Sequence, residues 1–190
     1  MKGRLQLDSK KNSLAGVLLL ASPKLLDPNF KRSIVLVSAH SSDEGAIGFV
    51  LNRPLGKTLG QLKPEFLYGS LAQVPVYQGG PVSQDKMIFV AWRWLDDERA
   101  FKLFFGLTED KLLGVMAQEQ DLSVRCYIGC SGWSQGQLEG ELAQDAWVPT
   151  PVTKEAILSQ GGEGLWRLML GQTMPETLIS GLVPKDPSLN

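Results

Sequence analysis

Between Val124 and Leu142 the chain runs from a strand through a glycine-rich turn into a helix, and no other stretch restricts the fold so tightly. Val124-Arg125-Cys126-Tyr127-Ile128 alternates apolar and polar side chains with β-branched and aromatic content, the signature of a strand. Gly129, Gly132 and Gly136 then punctuate the sequence wherever positive φ or close backbone approach is needed. A helical pattern follows. Ser134 is expected at its N-cap with Gln137 at N3, the spacing of a capping box. Glu139 falls near the helix N-terminus, where a carboxylate is favoured by about 0.3–1 kcal/mol. Leu138 and Leu142, four apart, share the inward face. The segment reads as a tight strand-to-helix corner whose free N–H groups could also hold an anion or an acyl oxygen.

The remaining pattern is strand-rich first and helix-rich later. Strands are expected over Leu14–Ala21, Ser33–Ala39, Ala46–Leu51, Val74–Tyr77, Met87–Trp92 and Ala100–Phe105, each short and rich in Val, Ile or aromatic residues. The Leu26-Asp27-Pro28-Asn29 turn, the Ser41–Gly45 loop and Gly79-Gly80-Pro81 separate them. Helices are expected over Thr58–Leu62, after Thr108, from about Gln135 to Asp145, from Thr153 through Leu158, and over Glu163–Leu170 with Gly171 just past the end. At 190 residues, with 43% hydrophobic and 21% charged side chains, the chain has material for one substantial core. A single α+β domain with frayed ends over 1–12 and 184–190 is the expectation.

Charge restricts the partners. A formal net charge of −1 argues against a whole-domain electrostatic footprint for nucleic acid. The first forty residues are nonetheless basic, with Lys2, Arg4, Lys10 and Lys11 leading, so a weak nucleic-acid contact through that segment is one alternative. No run reaches the ~20 apolar residues of a membrane helix. The apolar Leu14–Ala21 run is too short and too interrupted for a signal peptide. Cys126 and Cys130, four apart on one expected strand, would share a face with about 13 Å between them, too far to pair. Free thiols suit a reducing cytoplasm.

Several chemical motifs start and do not finish. Gly56-Lys57-Thr58 ends like a phosphate loop, but Leu51 stands where its first glycine belongs and Pro54 removes a donor. Gly129-Cys130-Ser131-Gly132-Trp133 resembles a nucleophile elbow with Trp133 in place of the closing glycine. The chain's one histidine, His40, precedes Ser131, the reverse of hydrolase order. An arrangement of His40, Asp96 or Asp97, and Ser131 is the formal alternative, with Cys130 and His40 as its thiol version. One histidine and two cysteines do not make a structural zinc site.

Three ordered blocks carry a resemblance. Gly16–Pro23, Asp27–Ser33, His40 and Gly48–Pro54 form the first; Gly79-Gly80-Pro81-Val82 with Asp85 the second; Gly129–Glu141 the third. Together they resemble the YqgE/AlgH family. The resemblance implies a bacterial cytosolic protein of α+β fold, built on a barrel-like, bifurcated, mostly antiparallel sheet surrounded by helices. It implies no settled activity. The transcriptional-regulator label of some members finds no helix-turn-helix or basic recognition helix here. The chain departs from the family at the corner, where Cys130 replaces an aromatic residue and Ser134-Gln135 replace Gly-Pro, and at Ala91-Trp92-Arg93-Trp94, where members often carry a histidine.

The leading expectation is a non-catalytic binding or regulatory module without a cofactor, serving a small ligand or a protein partner. Its candidate binding residues are His40, Asn52, Arg53, Ser131, Gly132, Trp133, Gln137 and Glu139. Arg53 offers a fixed, bidentate charge and Asn52 an amide at a strand end. The alternative is a hydrolase or transferase acting through Ser131 or Cys130.

Overall fold

The apolar runs of the N-terminal half are continuous rather than alternating because both of their faces are buried. β1 (Val17–Ala21) and β2 (Ile34–Ser41) pair antiparallel, with Leu19 opposite Val35. Leu18, Leu20, Ile34 and Leu36 point to one side, into a core shared with α4 (Lys154–Leu158) and α5 (Glu163–Thr173). Leu19, Ala21, Val35 and Val37 point to the other, under α3 (Gln137–Ala143) and the rings of Trp133 and Trp147. Each of the fully buried leucines contributes about 2 kcal/mol of burial, so both layers hold these strands in place.

The computed structural model describes residues 13–95 and 100–174. Among them the strands form one open, nine-stranded sheet in the order β4-β5-β8-β3-β2-β1-β9, with β6 and β7 branching from β8. β3 is Gly45–Val50, β4 Pro54–Thr58, β5 Pro75–Gln78, β6 Val82–Leu95, β7 Ala100–Leu107, β8 Ser123–Trp133 and β9 Trp147–Pro151. All pairings are antiparallel except β5 with β8. The sheet is bifurcated as expected but does not close into a barrel. α1 (Leu59–Leu62) and α2 (Glu109–Gln118) cover a third core, with Phe66, Val76, Phe89, Leu112 and Cys126 at its centre.

The branch point explains the glycines. β8 pairs with β6 over 123–130, with β5 over 126–128 and with β3 over 131–133. Where β5 gives way to β3, the Gly79 carbonyl accepts from the Val50 N–H at 3.0 Å, and its own N–H donates to the Ile128 carbonyl at 2.9 Å. A Cβ on Gly79 would stand 2.2 Å from the Gly129 carbonyl oxygen, so no larger residue fits the fork. Gly129 itself has φ +69°, and the strand changes face there. Cys126 packs in the third core and Cys130 against the first, so the two thiols do not share the face that regular alternation predicts. Both are free.

Other boundaries moved for identifiable reasons. β9 and β4 contain prolines and escaped the strand pattern. Pro149 lies opposite Leu19 and Pro151 opposite Val17 at the sheet edge, and two prolines two residues apart both turn their missing donors away from β1. β4 is an exposed edge strand with irregular register. α3 begins at Gln137 with Gly136 (φ +72°) as its N-cap, not Ser134. α5 runs through Gly171 to Thr173 because its buried residues, Leu165, Trp166, Met169 and Leu170, keep the helix docked past the glycine.

Candidate functional site

The corner closes on itself through side chains. Gln137 turns back so that its Oε1 accepts from the Ser134 N–H at 3.0 Å and from the Ser134 hydroxyl at 3.2 Å. That is the return half of a capping box, with the helix starting later than the spacing predicts. Gln137 Nε2 donates to Glu141 Oε1 at 2.9 Å. Glu141 Oε2 accepts from the indole N–H groups of Trp133 at 2.9 Å and Trp147 at 2.7 Å. One carboxylate therefore holds two tryptophans and a glutamine, and Phe30 packs against both indoles. Glu141 and Trp147 were not among the sequence candidates; the i, i+4 spacing from Gln137 to Glu141 was the available signal.

His40, at the end of β2, faces the same helix. Its Nε2 lies 2.8 Å from Glu139 Oε1, and its Nδ1 accepts from the Leu14 N–H at 3.1 Å. The Glu139 carboxyl is held below its ordinary pKa by its own backbone N–H, then by the His40 bond, against a smaller burial cost. Both ring nitrogens of the histidine are engaged.

Ser131 sits at the fork, fully buried, and its hydroxyl donates to the Gly79 carbonyl at 3.1 Å. Burial raises the Cys126 thiol to about 12. It raises Cys130 as well, with Lys86 opposing. Asp96 and Asp97, the formal partners for a triad, lie outside the described residues, as does the basic segment 1–11. Among the described residues no three His, Cys, Asp or Glu side chains cluster so as to hold a metal ion.

Asn52 and Arg53 belong to a second assembly, at the other end of β3. Asn52 is 4% exposed; its Oδ1 accepts from the Ile34 N–H at 2.9 Å, and its Nδ2 donates to the carbonyls of Arg32 at 2.9 Å and Gly162 at 3.2 Å. Arg53 donates to the carbonyls of Asn29, Pro28 and Lys31. Burial lowers its pKa, with Asp27 and Glu163 opposing. Residues 159–162 form a strap fixed from beneath: Arg125 donates to the Ser159 carbonyl, Tyr77 to that of Gln160, and Asn52 to that of Gly162. Arg125, buried and stacked between Tyr77 and Trp92, also reaches Leu51 and Ile157, and its place in an alternating strand gave no hint of this.

The two assemblies meet at the 27–32 loop, where Arg53 holds the backbone and Phe30 touches Trp133. Of the sequence candidates, the structure brings His40 to Glu139 and joins Trp133 to Gln137 through Glu141. It leaves Asn52, Arg53 and Ser131 turned inward to main-chain partners. Gln137 and Glu139 reach solvent from α3, and Gly132 opens onto the sheet surface. It pairs with Ile47, and a Cβ there would meet only Val82 Cγ2, at 3.5 Å. Ile47 and Val82 are 47% and 43% exposed, so Ile47, Gly132 and Val82 make a shallow apolar row across β3, β8 and β6.

Comparison with known proteins bears on the whole chain. A UPF0301 protein from Thermobifida fusca is 33% identical, covering 94% of this chain and 96% of its own length. One from Streptomyces coelicolor is 34% identical with the same coverage. The solution structure of the AlgH protein from Pseudomonas aeruginosa superposes with a TM-score of 0.62 at 25% identity, covering 98% of this chain and 100% of that one. A crystal structure of a Corynebacterium diphtheriae protein, 24% identical, shares the fold at a TM-score of 0.64 over 87% of this chain and 90% of its own. The AlgH-like family model matches residues 18–177. The chain belongs to the AlgH-like family.

Proposed function

We propose that this protein is a cytoplasmic, non-catalytic binding module, and that its recognition face is the Ile47–Gly132–Val82 row on the outer side of the corner. One observation carries the non-catalytic half: the hydroxyl and the imidazole that a covalent mechanism would need are each already held by another partner. Ser131 donates to the Gly79 carbonyl, and both nitrogens of His40 face Leu14 and Glu139. Burial disfavours both thiolates. The binding half is supported by exposed Ile and Val side chains on either side of a glycine at the strand-to-helix corner, an arrangement that suits an apolar group of a ligand or protein partner. On this reading Asn52 and Arg53 shape the neighbouring loops rather than touch the partner.

Gly132 gives the test. A Cβ at Gly132 meets only an ordinary contact with Val82, so Gly132→Leu is expected to fill the row and block the face. Binders retained from a bacterial extract by the immobilised wild-type chain and by Ser131→Ala, but lost with Gly132→Leu at equal folded concentration, support the proposal. Binders indifferent to Gly132→Leu, or dependent on Ser131 or Cys130, overturn it.

A further inference from the structure

A main-chain N–H can only donate, so the bond from Leu14 to His40 Nδ1 fixes the imidazole as the Nε2–H tautomer. That proton points at Glu139 Oε1. The ring is well buried, its side chain 4% exposed. A second proton can enter only at Nδ1, and there it would set two N–H groups against each other. The Leu14 bond is therefore incompatible with a charged His40, whereas the Glu139 contact favours the charge.

We propose that His40 is an acid-operated latch on residues 13–15. In its neutral state the ring holds the Leu14 backbone, and Leu14 packs beside Val17 against the core that contains Trp133 and Trp147. Leu14 also forms part of the wall of a cleft of about 560 Å³, with Val17, Phe101, Pro151 and Val152. Protonation breaks the Leu14 bond and strengthens the pairing with Glu139, so the Leu14 amide is freed while the ring stays in place and the Ser13 hydroxyl keeps its bond to the His40 carbonyl at 3.3 Å. The release is local. Gly16 keeps its bond to the Val37 carbonyl at 2.8 Å, which stops the loosening short of β1.

The charged surroundings of the ring can be named among the described residues. Glu139 of α3 is the charged group against the ring. β2, β3 and residues 13–15 have no other charged residue in their sequences, and Asp43 and Glu44 sit in the turn that ends the β2–β3 hairpin. His40 is the only histidine in the chain, so a histidine-dependent response has one source.

Nitrogen-15 NMR of the full-length protein tests the latch. The expected spectrum at pH 8 is that of the Nε2–H tautomer, and the hydrogen-exchange protection factor of the Leu14 amide should fall at least tenfold as His40 titrates. His40→Asn places a non-titrating acceptor where Nδ1 lies, so Leu14 should stay protected across the range. Glu139→Gln removes the charge that favours imidazolium and should move the loss of protection to lower pH. An Nδ1–H tautomer at pH 8, Leu14 protection that ignores the titration, or an unchanged pH response in His40→Asn would each overturn the proposal.

Discussion

Asn52 shows how a residue that looks like a ligand contact can be used to join elements. Its amide satisfies one backbone N–H and two carbonyls from segments far apart in sequence, and all of its polar atoms face inward. Asn52→Ala leaves those three groups unpaired in a site closed to water, and urea denaturation should show a loss of about 3 kcal/mol. The strand-end position of Asn52 was legible in the sequence; its three partners were not, because two of them lie in loops whose paths only the assembled sheet defines. Cys126 gives the second expectation at this scale. With its folded-state pKa raised to about 12, above the ordinary thiol value of about 8.5, the folded protein binds the proton more tightly than the unfolded chain. Its contribution is therefore complete below about pH 8.5 and is lost as pH rises toward 12. Denaturation midpoints measured between pH 8 and pH 10.5 should fall in the wild type, and fall less steeply in Cys126→Ala.

At the scale of elements, the corner and the fork divide the glycines into two kinds. Gly79 has the Gly129 carbonyl where a Cβ would go, whereas Gly132 has free space beside Val82. Gly79→Ala should cost at least about 3 kcal/mol or abolish soluble expression, while Gly132→Ala should change stability by no more than about 0.5 kcal/mol in the same denaturation assay. Most of the elements could be read from apolar runs and caps. Thr153, for example, accepts from the Ala156 N–H as its position before α4 suggests. The misreadings share a cause: β4 and β9 are edge strands whose prolines break the pattern, and α3 takes its N-cap from a glycine. Sequence periodicity describes what a segment prefers alone, and these three are decided by what they pair with. The corner itself was recognisable as strand, turn and helix, yet the carboxylate that organises it, Glu141, looked like any exposed helical acid.

For the whole molecule, the sheet forks at β8, buries β1 and β2 on both faces, and turns the polar atoms of Asn52 and Ser131 toward its own backbone. Ser131, His40 and Asn52 each hold neighbouring parts of the fold, and the recognition face we propose is the apolar Ile47–Gly132–Val82 row. Neither Ser131 nor the two thiols should therefore react readily in the folded protein. Mass-spectrometric mapping of the native protein after treatment with a fluorophosphonate and, separately, with iodoacetamide tests it most directly. No adduct is expected at Ser131, and thiol modification at Cys126 and Cys130 should become rapid only when the protein is unfolded in urea. Stoichiometric labelling of Ser131 or Cys130 in the folded protein, abolished by His40→Ala, would contradict it.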